Sequence, residues 1–267
     1  MLKNFFAVCL LIVFTESSLA AGNNFSQSFY DVKRILQYNV FHDHRKTLYC
    51  DANFSVHKDI ELPRGFSLPD LKKVNFKVYD ITKEELALKA RRMEWEHIVP
   101  AQNFGKTFPE WYQGSPKCVS KKGKRFKGRS CAEQQNEEFR YMFTDMYNLY
   151  PSIGAVNYLR ANFNFTQFGK KENVPSSFGG CNLKISRNLV EPRDEIKGLI
   201  ARTYLYMEKT YPRFSVSAKM RPIIETWNRN YPVSRWECKR AFRIEQIQGN
   251  ENMVVKEPCL AKNWYKD

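Results

Sequence analysis

The chain predicts a single globular domain in which several helices surround at least one strand, and three observations lead there. Its 267 residues are enough for one large core, and 43% hydrophobic with 15% aromatic residues describe a packed protein rather than a disordered one. Stretches with apolar residues at helical spacing recur, and between them lies Met93-Glu94-Trp95-Glu96-His97-Ile98-Val99-Pro100, an aromatic and β-branched run that a proline stops. No internal repeat or low-complexity linker divides the chain, so one integrated unit is expected.

Charge narrows the partners. Lys and Arg number 43 against 28 Asp and Glu, a formal net charge of +15, so the surface is drawn to polyanions: nucleic acid or an anionic membrane. Lys3 followed by the apolar run Phe5 to Phe14 and by Ser18-Leu19-Ala20 reads as a signal peptide cleaved after Ala20, with Ala21 as the alternative. The run is too short for a membrane helix and nothing later is apolar enough, so no membrane span is expected; residues 21–267 form the exported domain. Removing the segment takes Cys9 and leaves Cys50, Cys118, Cys131, Cys181, Cys238 and Cys259, an even set suited to disulfides in an oxidising compartment. Spacing alone allows fifteen connectivities, and the lack of any Cys-x-x-Cys argues against a zinc or redox motif.

In chain order, Phe29, Val32, Ile35, Leu36 and Val40 predict a helix packed by one face. His42-Asp43-His44 behind it reads as a solvated helix end, with a metal site as the sharper alternative. Cys50 to Pro69 is irregular, and Thr82-Lys83-Glu84-Glu85 has the pattern of a capping box for a short helix ending near Lys89 or Ala90. That helix delivers the chain into Glu96-His97. Histidine, with an ordinary pKa of about 6.5, suits a general base at neutral pH, and glutamate is a hard oxygen ligand for Mg²⁺ or Ca²⁺. Neighbours on a strand point to opposite faces, so one site served by both requires the strand to end or bulge there. By itself the dipeptide fits an ordinary, partly buried pair at a strand end better than a catalytic one.

Between Lys117 and Arg129 lie seven basic residues and no acid: Lys117, Lys121, Lys122, Lys124, Arg125, Lys127 and Arg129. A disulfide between Cys118 and Cys131 would close most of this run into a loop that grips phosphates or is simply solvated. Ala132 to Phe143 predicts one helix, Asp145 to Gly154 a turn-forming passage, and Ala155 to Phe163 a further helix on which Asn157 and Arg160 share a face at i, i+3. An amide oxygen and a guanidinium side by side suit a metal-bound phosphate. Asp194 is expected to cap a helix through Met207, a second helix to run from near Ser217 to Trp227, and a third to follow Pro232.

Taken together, Glu94-Trp95-Glu96-His97-Ile98-Val99-Pro100-Ala101, Asn103-Phe104-Gly105, Asp145-Met146-Tyr147-Asn148-Leu149, Pro151-Ser152-Ile153-Gly154-Ala155-Val156-Asn157, Arg160, Ile200 to Met207 and Tyr231 to Cys238 resemble the bacterial endonuclease I family of periplasmic and secreted nucleases. The likeness spans nearly the whole exported chain in order. It implies an α+β domain carrying a ββα-metal (His-Me finger) motif, with Glu96 and Asn157 as ligands of one Mg²⁺ (Ca²⁺ or Mn²⁺ as alternatives), His97 as general base, and Arg160 lining the same site. It also implies the pairs Cys50–Cys181, Cys118–Cys131 and Cys238–Cys259. The sequence departs from the pattern at Phe143, where the family carries an acid, at Tyr147 in place of a histidine, and at Ala155 in place of a second acid, with Glu137 or Glu138 as stand-ins for the first. The family's phosphate-binding arginine after Trp111 lacks a clean match, Lys117 being the nearest substitute.

The resulting expectation is a monomeric, exported, non-specific endonuclease acting on DNA and RNA, with Lys117, Lys121, Lys122, Lys124, Arg125 and Arg160 on the polymer. A secreted basic protein that binds nucleic acid without cutting it, and an enzyme restricted to RNA, are the alternatives.

Overall fold

A computed structural model describes residues 22–69 and 81–267. The signal segment expected at residues 1–20 lies outside the described residues. Helix α1 (Phe29–Ile35) is started by Ser28, whose hydroxyl accepts from the Asp31 N–H, and runs on as one wider π-type turn, Leu36–Val40. Its apolar stripe, Val32, Leu36 and Val40, is fully buried. The stretch read as irregular contains a small hairpin, β1 (Asn53–Phe54) with β2 (Ile60–Glu61). Helix α2 (Lys83–Ala90) begins with the expected capping box: Glu85 N–H donates to Thr82 Oγ1 and Thr82 N–H to Glu85 Oε2.

Strand β3 (Met93–His97) follows, then α3 (Ala101–Gly105), α4 (Pro109–Tyr112), α5 (Arg129–Gln135) and α6 (Glu137–Phe143). The single helix expected over 132–143 is thus two. Asn136 sits in an extended conformation between them and its Oδ1 accepts from the Phe139 N–H, a local bond that competes with helix continuation. The passage read as a turn is a correction as well: after a 3₁₀ turn at Met146–Asn148 it becomes β4 (Leu149–Ile153), antiparallel to β3 from Met93 opposite Ile153 to His97 opposite Leu149. Pro151 hid it, because proline demotes a strand by local criteria; here its carbonyl accepts from the Leu48 N–H.

Helix α7 (Gly154–Arg160) follows β4 directly and packs on β3. Gly154 is required at that junction, since a Cβ there would lie 2.7 Å from the Lys89 carbonyl oxygen and 3.0 Å from the Glu94 carboxylate. A third sheet joins β5 (Asn164–Phe165), parallel, and β6 (Lys184–Ser186), antiparallel, to the central β7 (Leu189–Glu191). Helices α8 (Asp194–Thr210), α9 (Arg221–Asn230), α10 (Arg235–Gln248) and α11 (Met253–Ala261) complete the chain. Asp194 opens α8 without capping it, α9 begins four residues after Ser217, and the terminal helix had no counterpart in the sequence reading.

One apolar core joins these elements, with Phe41, Phe104, Phe139, Phe165, Tyr204 and Trp227 among its largest buried side chains. Disulfides link Cys50 to Cys181, Cys118 to Cys131 and Cys238 to Cys259. One buried pair of charges joins α8 to α10: the Arg202 guanidinium meets the Glu237 carboxylate with two 2.6 Å bonds. Arg240 lies over the Tyr150 ring at 3.7 Å and donates to the carbonyls of Met146 and Leu149, holding the entry to β4. No described helix is long and apolar enough to cross a membrane.

Candidate active site

Strands β3 and β4 and helix α7 meet along one seam. Asn148, at the mouth of β4, clamps the end of β3: its Oδ1 accepts from the Val99 N–H at 2.8 Å and its Nδ2 donates to the Val99 carbonyl at 3.0 Å. Asp145, fully buried, accepts from the hydroxyls of Tyr206 and Tyr211, from Gln248 and from the Tyr147 N–H. The Asp145 to Leu149 segment therefore acts as a bracket, and Tyr147 is part of it, its hydroxyl donating to the Asn250 carbonyl.

Glu96 and His97 point to opposite sides, as strand alternation requires. Glu96 is 3% exposed and turns toward α7, where its Oε1 accepts from the Tyr49 hydroxyl at 2.7 Å and lies 3.0 Å from Arg160 Nη1. Burial pushes its pKa up, opposed chiefly by the Arg160 charge. Its Oε2 has no hydrogen-bond partner among the described residues.

Arg160 lies against both Glu96 and His97. Awaited on the phosphate path, it is 0% exposed and faces inward: besides Glu96 it donates to the carbonyls of His97 at 2.9 Å and Ile98 at 2.7 Å, and its guanidinium lies over the Phe165 ring. Both Nη groups are engaged within the protein and Nε, which has no partner among the described residues, is buried, so the guanidinium holds the site from the inside. Its helical neighbour Asn157 meets Glu94, not Glu96: the Asn157 amide donates to Glu94 Oε2 at 3.1 Å, while Lys89 pairs with Glu94 Oε1 at 2.7 Å. Only the amide nitrogen can donate to a carboxylate, so this bond fixes the amide and leaves Asn157 Oδ1 without a partner among the described residues. Glu94, overlooked in the sequence, is thus the residue that aims Asn157; its place two residues before Glu96, on the same face of β3, was the available signal.

His97, half-buried at the strand end, contacts the α6 terminus. Its Nε2 lies 2.8 Å from the Phe143 carbonyl oxygen, which can only accept, so Nε2 carries the proton and Nδ1 keeps its lone pair. The ring stacks on Phe143 at 4.5 Å and on Phe29 at 5.5 Å. Burial among these rings, together with the nearby charges of Arg129 and Arg160, lowers its pKa to about 3, so the imidazole is neutral at physiological pH. Phe143, in the acid's place, thus supplies a carbonyl and a ring, while Ala155 is fully buried and apolar. Glu137 and Glu138 are engaged elsewhere, with Gln27 and Arg213 respectively.

The basic run forms an exposed hairpin-like loop, tied by a bridge between Val119 and Arg125 and closed by the Cys118–Cys131 disulfide. Lys117, Lys121, Lys122, Lys124 and Arg125 are all exposed on it. The loop returns to α5 at Arg129, whose guanidinium lies 5.5 Å from the Phe143 ring centre and has no carboxylate within ion-pair distance among the described residues. Arg129 is the cation beside His97 that the sequence reading counted merely as loop charge; its position two residues before Cys131, which pins the loop end to α5, distinguished it. His42 and His44 are remote from this chemistry in type: Nδ1 of His42 meets the Asn39 carbonyl, and His44 stacks on Trp236. The described residues contain no group of three or more His, Cys, Asp or Glu suited to a metal.

Residues 28–259 match the family model of endonuclease I. An extracellular deoxyribonuclease of Aeromonas hydrophila is 34% identical over 93% of this chain and 98% of its own length. A periplasmic deoxyribonuclease of the same species is 33% identical over 88% and 87%, and an endonuclease-1 of Buchnera aphidicola subsp. Baizongia pistaciae 32% over 98% and 97%. With the likeness running from α1 to α11, the chain belongs to the endonuclease I family and is an endonuclease.

Proposed function

We propose that the chain is an exported, metal-dependent endonuclease that hydrolyses phosphodiester bonds of DNA and RNA without sequence preference, and that the β3–β4–α7 unit is its ββα-metal motif. The observation that carries the reading is the His97 bond to the Phe143 carbonyl: it fixes the tautomer and leaves Nδ1 free to take a proton from water. Glu96 Oε2 and Asn157 Oδ1 are hard oxygen donors with no described partner, a set suited to one Mg²⁺ that keeps most of its waters. When bound, such an ion would neutralise charge on the scissile phosphate and the leaving oxygen.

The protein's own residues divide the remaining work. Arg160 holds the Glu96 carboxylate and the His97 and Ile98 carbonyls in one frame. Glu94 orients Asn157, and Phe29 and Phe143 exclude water from one flank of the imidazole, keeping it neutral so that Nδ1 stays unprotonated. Arg129 pairs with a non-bridging phosphate oxygen, taking the role assigned to Lys117 and Arg160 on sequence grounds. The loop lysines add sequence-independent affinity. Disulfides, a positive surface and relatives named as extracellular and periplasmic enzymes all support export.

The deciding experiment incubates oxidised protein with supercoiled plasmid and with RNA, in Mg²⁺ or in chelator, beside His97→Ala. Cleavage of both polymers is expected, lost on chelation and reduced by orders of magnitude in the variant. Chelator-resistant cleavage overturns the metal, a fully active variant overturns His97, and cleavage of RNA alone restricts the substrate.

A further inference from the structure

Behind the site, between α1 and the β1–β2 hairpin, lies an open groove of about 450 Å³. Three cations line it, Arg34, Lys58 and Arg92, and no carboxylate does; Asp59, just outside, pairs with Arg92 at 2.5 Å. Two tyrosines flank it, Tyr30 at 65% and Tyr38 at 52% exposure. They stand eight residues apart, with Arg34 between them and its guanidinium 5.8 Å from the Tyr30 ring centre.

The groove is fastened to the catalytic strand. The Met93 N–H donates to the Lys58 carbonyl at 2.8 Å, and Asp59 bridges to Arg92 just before β3. Tyr30 adjoins Phe29, whose ring stacks on His97, and Lys33 sits over that same ring at 4.7 Å. A line of positive charge therefore runs from Arg129 past the His97 cluster and Lys33 to Lys58 and Arg34. Lys58 has its pKa lowered by burial and by the nearby charges of Lys33 and Arg92.

We propose that this groove is a binding site for single-stranded nucleic acid, taking unpaired bases on Tyr30 and Tyr38 and backbone phosphates on Arg34 and Lys58. Exposed rings interleaved with cations are the combination that holds a single strand, because stacking requires a base face that a duplex keeps covered, whereas cations alone grip both forms. The site rests on the nuclease reading only for the identity of the polymer. It gives the enzyme a hold on one strand beyond the bond being cut, and favours frayed, nicked or single-stranded substrate.

The test measures binding of a short fluorescein-labelled oligodeoxynucleotide and of the corresponding duplex to the full, oxidised protein by anisotropy in EDTA, so that no cleavage is needed. Tyr30→Ala/Tyr38→Ala is expected to weaken the single strand by about tenfold or more while changing duplex affinity by less than about twofold. Arg34→Ala/Lys58→Ala is expected to reduce the salt slope for the single strand by about 1.4. Unchanged single-strand affinity, an equal loss for both forms, or an unchanged salt slope overturns the proposal. All four side chains lie at the surface of the groove, and matching thermal melts establish that the variants fold. Because binding is read without turnover, absence of cleavage would sink the catalytic reading and leave this one standing, and the reverse holds too.

Discussion

Replacing Arg160 by methionine is the sharpest probe of how this centre is held. The side chain is 0% exposed, and the substitution keeps an unbranched apolar stem while deleting an ion pair to Glu96 at 3.0 Å and two hydrogen bonds, to the carbonyls of His97 and Ile98. Breaking a buried pair from one side leaves the other charge uncompensated, which costs about 3–5 kcal/mol. The two orphaned carbonyls act in the same direction, though not additively. Against a typical total stability of about 5–15 kcal/mol this is a large fraction, equivalent to a fall in Tm on the order of 10 °C for a domain of this size. The pH dependence carries a further signature. Burial already raises the Glu96 pKa, and loss of Arg160 raises it more. A carboxyl whose folded pKa exceeds its unfolded value contributes stability that is present below the unfolded pKa and lost as pH rises through the folded one. The variant's deficit should thus be greatest at neutral pH and shrink in acid, where Glu96 is protonated and needs no partner. Urea unfolding in EDTA at several pH values measures it. A deficit below about 1 kcal/mol, or one that does not shrink in acid, would refute the argument that Arg160 serves Glu96 rather than substrate.

Other outcomes follow from the same geometry. Arg129→Ala should lower kcat/KM for plasmid cleavage by about 10²-fold with little change in Tm, since an exposed cation beside His97 does its work in the transition state; a large loss of stability with normal kcat would reassign it to structure. Neutralising Lys121, Lys122, Lys124 and Arg125 together should weaken duplex binding and flatten its salt dependence by up to about 3.6 in slope, whereas an unchanged slope in anisotropy titrations would make the loop a solvated ornament. Asp43 is held well below the usual carboxylate range by the Arg243 guanidinium, at 2.6 and 2.8 Å, with Lys239 assisting. A depressed carboxyl gives stability above its unfolded pKa that is lost as pH falls, so Asp43→Asn should flatten part of the acid limb of the Tm profile below about pH 4; a parallel acid limb would disprove the link.

How far the sequence speaks for itself differs from residue to residue. The α2 capping box, the apolar stripe of α1 and the strand ending at His97 were legible because each is set by bonds and packing within a few residues. The split of α5 from α6 at Asn136 and the strand through Pro151 were not, since a side-chain cap and pairing with β3 override local preference there. At the site, residue types identified Glu96 and His97 as capable of acid-base and metal chemistry, and the distributed likeness to a family identified the class of reaction. Sequence could not say which way side chains turn. Only the tertiary structure decided that Arg160 faces inward to Glu96, that Glu94 aims Asn157, that the Phe143 carbonyl selects the His97 tautomer, and that Arg129 closes the basic loop beside it. The reason is physical: charge and residue type are local properties, carried by each side chain wherever it goes, whereas burial, partner and orientation exist only after strands and helices distant in the chain have met.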